Sequence, residues 1–157
     1  DIGINLIGGN TRNNVINNTL NSNNYGIWFA NADGKVSDNL INASRVSGMH
    51  IASGSRSLFS GGEITNSQGS AIQIVGIPSE HNLTNVSIRN TNSSHYDLII
   101  NSSSATNIKL IDMPHLGNYS FFAGANSVIV KNSQFGEIRF LQAINGSGTN
   151  LTNHINN

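Results

Sequence analysis

Asn14-Val15-Ile16-Asn17-Asn18-Thr19-Leu20-Asn21, followed after a short polar step by Tyr25-Gly26-Ile27-Trp28-Phe29, is the stretch that decides the fold. Ile27 and Phe29 fall on one side of their run and Trp28 on the other, the period-2 pattern of a strand with one buried face. Each run stops at Asn, Ser or Gly, residues that turn the chain. The pattern then repeats. An apolar residue closing a short run recurs at Leu20, Ile41, Ile64, Ile88, Ile111, Phe135 and Ile155, at spacings of 21, 23, 24, 23, 24 and 20 residues. A second series, Ile4, Ile27, Met49, Ile72, Leu98, Phe121 and Ile138, keeps step at 23, 22, 23, 26, 23 and 17. A third, Val15, Val36, Leu58, Leu83, Ile108, Ile129 and Leu151, opens each repeat.

A period of 20 to 50 residues is the signature of a solenoid. Three short strands per repeat fit a right-handed parallel β-helix of about seven coils, each coil advancing one strand separation of ~4.8 Å. Like residues then stack in an interior ladder, and Asn suits the corners because it tolerates left-handed backbone angles. No segment sustains the three-and-four apolar spacing of a helix, and a β-sandwich would not repeat in register. The fold expected is all-β, with residues 1–157 forming a single domain.

Composition bounds the function. Eight Lys plus Arg balance eight Asp plus Glu, so no net field draws the chain to nucleic acid or an anionic membrane. The surface is solvated by amides and hydroxyls, 27 Asn and 21 Ser against 2 Pro. There is no Cys, hence no disulfide and no thiol chemistry. No apolar run approaches the ~20 residues that span a bilayer, and the start at Asp1 reads as a mature or excised chain.

The coil Asn14 to Asn21 followed by Tyr25 to Phe29 resembles the right-handed β-helix repeats of the pectate-lyase-like superfamily, in particular those of NosD-like and archaeal surface proteins. That resemblance covers nearly the whole chain. It implies the fold, and a function among polysaccharide lyases, hydrolases, epimerases, tailspikes, adhesins and plain surface modules.

An enzyme of that kind would cluster carboxylates on one exterior sheet. The acids here are scattered, about one per coil, without Asp-Asp, Gly-His-Gly, Arg-Ile-Lys or Asp-Pro-His strings. The strongest catalytic candidates are Asp97 and Glu137, two coils apart at equivalent outward positions with Ser120 between, and Arg139 beside Glu137. Their spacing of roughly 9.6 Å approaches that of an inverting glycosidase. Solvated carboxylates are the commoner reading of such a pair, and no enzymatic activity is expected. His50, His81, His95, His115 and His154 fall in different parts of different coils and read as surface or corner residues. No metal and no cofactor is expected.

Asn-x-Ser/Thr occurs nine times, at Asn17, Asn42, Asn82, Asn85, Asn92, Asn101, Asn118, Asn145 and Asn150, where composition alone would give about five. Asn82, Asn92, Asn101 and Asn145 are read as turn positions and are the preferred acceptors of covalent N-glycans. The outward row Asn5, Trp28, His50, Gln73, Ile99, Phe122 and Arg139 places Trp28, Ile99 and Phe122 away from the core, where a solvated rod would show polar groups. Gly26, Gly48 and Ala71 beside it would leave a shallow trough. These features predict an extracellular or cell-surface glycoprotein, a filament or sheath subunit whose partner is another copy of itself. A polysaccharide is the partner of the alternative, an adhesin-like or lyase-related module. The two ends are in phase: Ile155 joined to a following Ile4 leaves six positions, against seven from Leu20 to Ile27. That phase predicts head-to-tail stacking through Ile4, Leu6 and Ile155.

Overall fold

The computed structural model describes residues 1–8, 12–30, 33–52, 56–76, 81–89, 95–102, 107–116, 119–123, 127–131, 133 and 137–140. Their regular elements are eighteen strands, β1 to β18 in chain order, arranged in three parallel sheets. Sheet A stacks β1 (Ile2–Ile7), β4 (Tyr25–Ala30), β7 (Ser47–Ile51), β10 (Ser70–Gly76), β13 (Leu98–Ser102), β16 (Tyr119–Ala123) and β18 (Glu137–Phe140). Sheet B stacks β2 (Arg12–Ile16), β5 (Asp33–Ser37), β8 (Ser57–Ser60), β11 (His81–Thr84), β14 (Asn107–Ile111) and β17 (Ser127–Lys131). Sheet C stacks β3 (Thr19–Asn21), β6 (Leu40–Asn42), β9 (Glu63–Thr65), β12 (Ser87–Arg89) and β15 (His115–Leu116). The chain visits B, C and A in turn, three strands to a coil, and is a parallel β-solenoid. Its body is about four turns rather than seven: β2–β4, β5–β7, β8–β10 and β11–β13 enclose the described core, and the strands beyond them extend the sheets unequally. Among the described residues no helix is long and apolar enough to cross a membrane.

Four ladders fill the interior. Sheet A supplies Ile27, Met49, Ile72 and Leu98, and beside them Phe29, Ile51, Ile74 and Ile100. Sheet C supplies Ile41, Ile64 and Ile88. Sheet B supplies Val15, Val36, Phe59 and Leu83. All are buried. Parallel strands need this continuous apolar filling because their connections run around the core rather than through water.

Two rows of corners turn the chain. Between sheets B and C, Asn17, Asp38, Gly61, Asn85 and Asp112 all take positive φ, from 52° to 65°. Their backbone N–H groups donate to the next coil, Asn17 to Ser37 O at 3.0 Å, Asp38 to Ser60 O at 3.0 Å, Gly61 to Thr84 O at 2.9 Å and Asn85 to Ile111 O at 3.1 Å. Between sheets C and A, Ser22, Ala43 and Asn66 do the same. A non-glycine residue in this region costs roughly 1–2 kcal/mol, which the inter-coil hydrogen bond offsets. Gly61 has a second constraint, because a Cβ there would run into Asp38 Oδ1.

Asn39 locks the second coil to the first. Its Nδ2 donates to Val15 O and Ser37 O at 3.0 and 2.9 Å, while its Oδ1 accepts from Asn18 N and Asn18 Nδ2 at 2.9 and 3.0 Å. Every hydrogen-bonding position of this buried amide is used, as its burial requires.

The register corrects the sequence reading of sheets B and C in three places. Leu58 pairs with Lys35 and Asn82 and is 42% exposed, whereas Phe59 pairs with Val36 and Leu83 in the core. Further along sheet B, Leu110 and Val130, not Ile108 and Ile129, stand in register with Leu83. Leu116, not Ile111, pairs with Ile88. Ile111 instead ends β14, just before the corner residue Asp112. The Leu58 reading is a one-position slip, which in a pleated strand exchanges the two faces, whereas Ile108 is two positions from Leu110 and Ile111 is one corner away from sheet C.

Candidate functional site

The outer face of sheet A carries the densest group of functional side chains outside the core. Register places Asn5, Trp28, His50, Gln73 and Ile99 in one outward row. The next member is Phe121, paired with Ile99 and Arg139. Phe122 pairs with Ile100 and Phe140 and so is out of register with the Ile99 row. Adjacent aromatic residues Phe121 and Phe122 hid this from an alternation count.

The rings of this row lie on one another. Trp28 stacks on His50 with centroids 4.0 Å apart and planes 24° apart, and Tyr25 meets Trp28 edge-on at 4.7 Å. Tyr25 also meets the His50 ring at 5.5 Å. His50 Nδ1 lies 3.1 Å from Gln73 Oε1, within hydrogen-bond reach. Burial pushes the His50 pKa below its ordinary value, against a smaller upward pull from Gln73. The next outward row holds Ile7 and Ala30 at one end and Val75 and Asn101 at the other, with Ala52 between. From Asn5 to Ile99 neither row contains a Lys, Arg, Asp or Glu. The trough expected from Gly26, Gly48 and Ala71 is absent, because all three are buried. A Cβ on Gly48 would come within 2.5 Å of Ile64 Cγ2 and 2.7 Å of Ala71 O. Gly48 is therefore small to let sheet A close onto sheet C.

The catalytic candidates do not form an exposed pair. Asp97 precedes β13 at 1% exposure, and its carbonyl accepts from Ile72 N at 2.8 Å. Its outward solvated placement is thus overturned: it lies at the corner where the chain enters sheet A. Glu137 pairs with Tyr119, so Tyr119 and not Ser120 stands at the intervening level. Arg139 pairs with Phe121, and the side chains of Glu137 and Arg139 lie outside the described set. Among the described residues no three His, Cys, Asp or Glu come together as a metal set.

His81 is the residue that sequence reading misplaced most. It is fully buried on β11, in the row of Ser57 and Ile108, with the Phe59 ring 6.4 Å away. Neither ring nitrogen has a hydrogen-bond partner, and burial lowers its pKa to about 4. Its position two residues before Leu83 was the available signal, since period 2 puts both on the same face.

Charge elsewhere is arranged coil on coil. Arg12 pairs with Asp33, and Asp33 Oδ1 accepts from Arg56 N at 3.0 Å. Glu63 and Arg89 form an ion pair at 3.0 Å on the surface of sheet C, where solvent leaves it little weight.

The acceptor candidates divide. Asn82 lies within strand β11 and is half-buried, and Asn101 lies within β13 and is exposed, so neither is at a turn. Asn17 and Asn85 are exposed at the B–C corner. Asn42 sits in an amide ladder. Asn92, Asn118, Asn145, Asn150 and Ile155 lie outside the described residues. Of the stacking positions, Ile4 and Leu6 are partly buried against the core, as is Leu20 on the neighbouring β3, while Ile2 and Ile7 are 39% and 66% exposed.

No protein-family profile, no curated protein and no solved structure matches the chain.

Proposed function

We propose that this chain is a structural subunit of an extracellular or cell-surface filament or sheath, akin to the surface-protein branch of the pectate-lyase-like β-helices. The observation that carries the reading is what sheet A does with its aromatic rings. A sugar platform keeps a ring face open to solvent. Trp28 instead gives one face to His50 and meets Tyr25 at its edge, and His50 turns to Gln73. The row therefore braces successive coils, and the remaining face is uncharged and half apolar through Ile7, Ala30, Val75 and Ile99. Such a face is suited to packing against another copy.

Trp28→Ser is expected to reduce the sedimenting, assembled fraction at least several-fold, with no binding to insoluble polysaccharide before or after the change. Undiminished assembly combined with loss of polysaccharide binding would favour the adhesin-like module instead.

A further inference from the structure

We infer that the B–C corner is the glycan-bearing edge of the solenoid, with N-linked oligosaccharide on Asn17 and Asn85 and none on Asn42. This inference rests on the extracellular reading above. All nine sequons satisfy the same Asn-x-Ser/Thr rule, but the fold treats these three differently.

Asn17 and Asn85 occupy the same corner row, three coils apart, about 14 Å along the axis at ~4.8 Å per coil. Both hold left-handed backbone angles, φ 57° and 55°, and both are exposed. Their main-chain N–H groups already bind the next coil, so the corner is held by backbone and the side chain is free to carry a substituent. Thr19, the hydroxyl residue of the Asn17 sequon, is exposed as well, while Ser87, that of the Asn85 sequon, is buried and its Oγ accepts from Arg89 Nε at 3.2 Å.

Asn42 is built the opposite way. Its Oδ1 accepts from Asn66 Nδ2 at 2.8 Å and Thr65 Oγ1 at 3.1 Å, and its Nδ2 donates to Asn21 Oδ1 at 3.2 Å. A sugar on Asn42 Nδ2 would displace a rung of this ladder, whereas one on Asn17 or Asn85 displaces nothing.

The co-substrate is a lipid-diphosphate-linked oligosaccharide. The asparagine Nδ2 attacks the anomeric carbon, an N–C1 bond forms, the C1–O bond to the diphosphate breaks, and lipid diphosphate leaves. The Nδ2 proton passes to a base of the transferring enzyme. Glycans three coils apart on one edge would leave the outer face of sheet A bare for packing.

The test is peptide mapping by mass spectrometry of the protein from its native source, fractionated into cell-exterior and cytosolic pools. The expected result is glycopeptides at Asn17 and Asn85, a bare Asn42, and loss of the Asn17 glycan in a Thr19→Ala variant, which keeps the corner asparagine. Bare Asn17 and Asn85 in exterior protein, or an occupied Asn42, overturns the inference while leaving the surface reading intact. Protein found only in the cytosol and unmodified overturns both.

Discussion

Replacing Phe59 by Ala is expected to destabilise the solenoid by about 3–5 kcal/mol, the range for emptying a buried aromatic site, while Leu58→Ala next to it changes stability by no more than about 0.5 kcal/mol. Phe59 is 1% exposed between Val36 and Leu83, and its ring meets Phe29 edge-on at 5.7 Å. The void left by Ala cannot close, because the coils above and below are held apart by the backbone ladder, so the upper part of the range applies. Leu58, 42% exposed between Lys35 and Asn82, has little to lose. Urea unfolding of the two variants separates the observed register from the alternative in which Leu58 points inward. Equal losses, or a larger loss for Leu58→Ala, would contradict the structure.

The second large effect is on pH dependence and comes from His81. The unfolded chain takes up a proton on this residue near pH 6.5, whereas in the fold burial lowers the pKa to about 4. Above pH 6.5 the imidazole is neutral in both states and contributes no slope. Between 6.5 and 4 the unfolded state binds the proton and the folded state does not, so stability falls as pH falls. Below about 4 both states are protonated and the slope ends. The difference of about 2.5 pH units corresponds to about 3 kcal/mol lost across that window. His50, also lowered by burial, acts in the same direction. Leucine at position 81 removes the ionisable group and suits a site beside Phe59. His81→Leu is therefore expected to flatten the stability profile between pH 6.5 and 4 relative to the parent chain. Unfolding curves at half-unit pH steps measure this, and parallel profiles for the two proteins would refute the buried, unpartnered placement of His81.

The fold was legible because its information is repetitive. The Ile27, Met49, Ile72 and Leu98 series read from spacing is the ladder that the strands form, and Asn17, Asp38, Asn66 and Asn85 stand at left-handed corners as the chemistry of Asx residues suggests. What spacing could not resolve is phase where two apolar residues are adjacent. Leu58-Phe59 and Phe121-Phe122 satisfy alternation in either register, and only the pairing of whole strands decides between them. The B–C corner likewise imitated the C–A corner: Ile111-Asp112 has the same apolar-then-polar form as a run that closes in sheet C, yet it turns the chain out of sheet B.

The candidate site was legible as a row and not as chemistry. Trp28, His50 and Ile99 were placed together by period, but stacking of Trp28 on His50 depends on side-chain rotation that a sequence does not carry. Burial of Asp97 and His81 was hidden for a related reason. Polar letters inside a solenoid resemble polar letters outside it until the corners are fixed. Ala43, an unremarkable residue in sequence, holds a left-handed corner because the inter-coil hydrogen bond to Thr65 O at 3.0 Å compensates its backbone cost.

The central claim, that the chain is an assembling structural subunit, is tested most directly by its molecular state in solution. Sedimentation velocity across a wide concentration range, with electron microscopy of the heavy fraction, is the measurement. The account predicts concentration-dependent growth into rods that retain the ~4.8 Å strand repeat along their axis. A stable monomer at every concentration would contradict it.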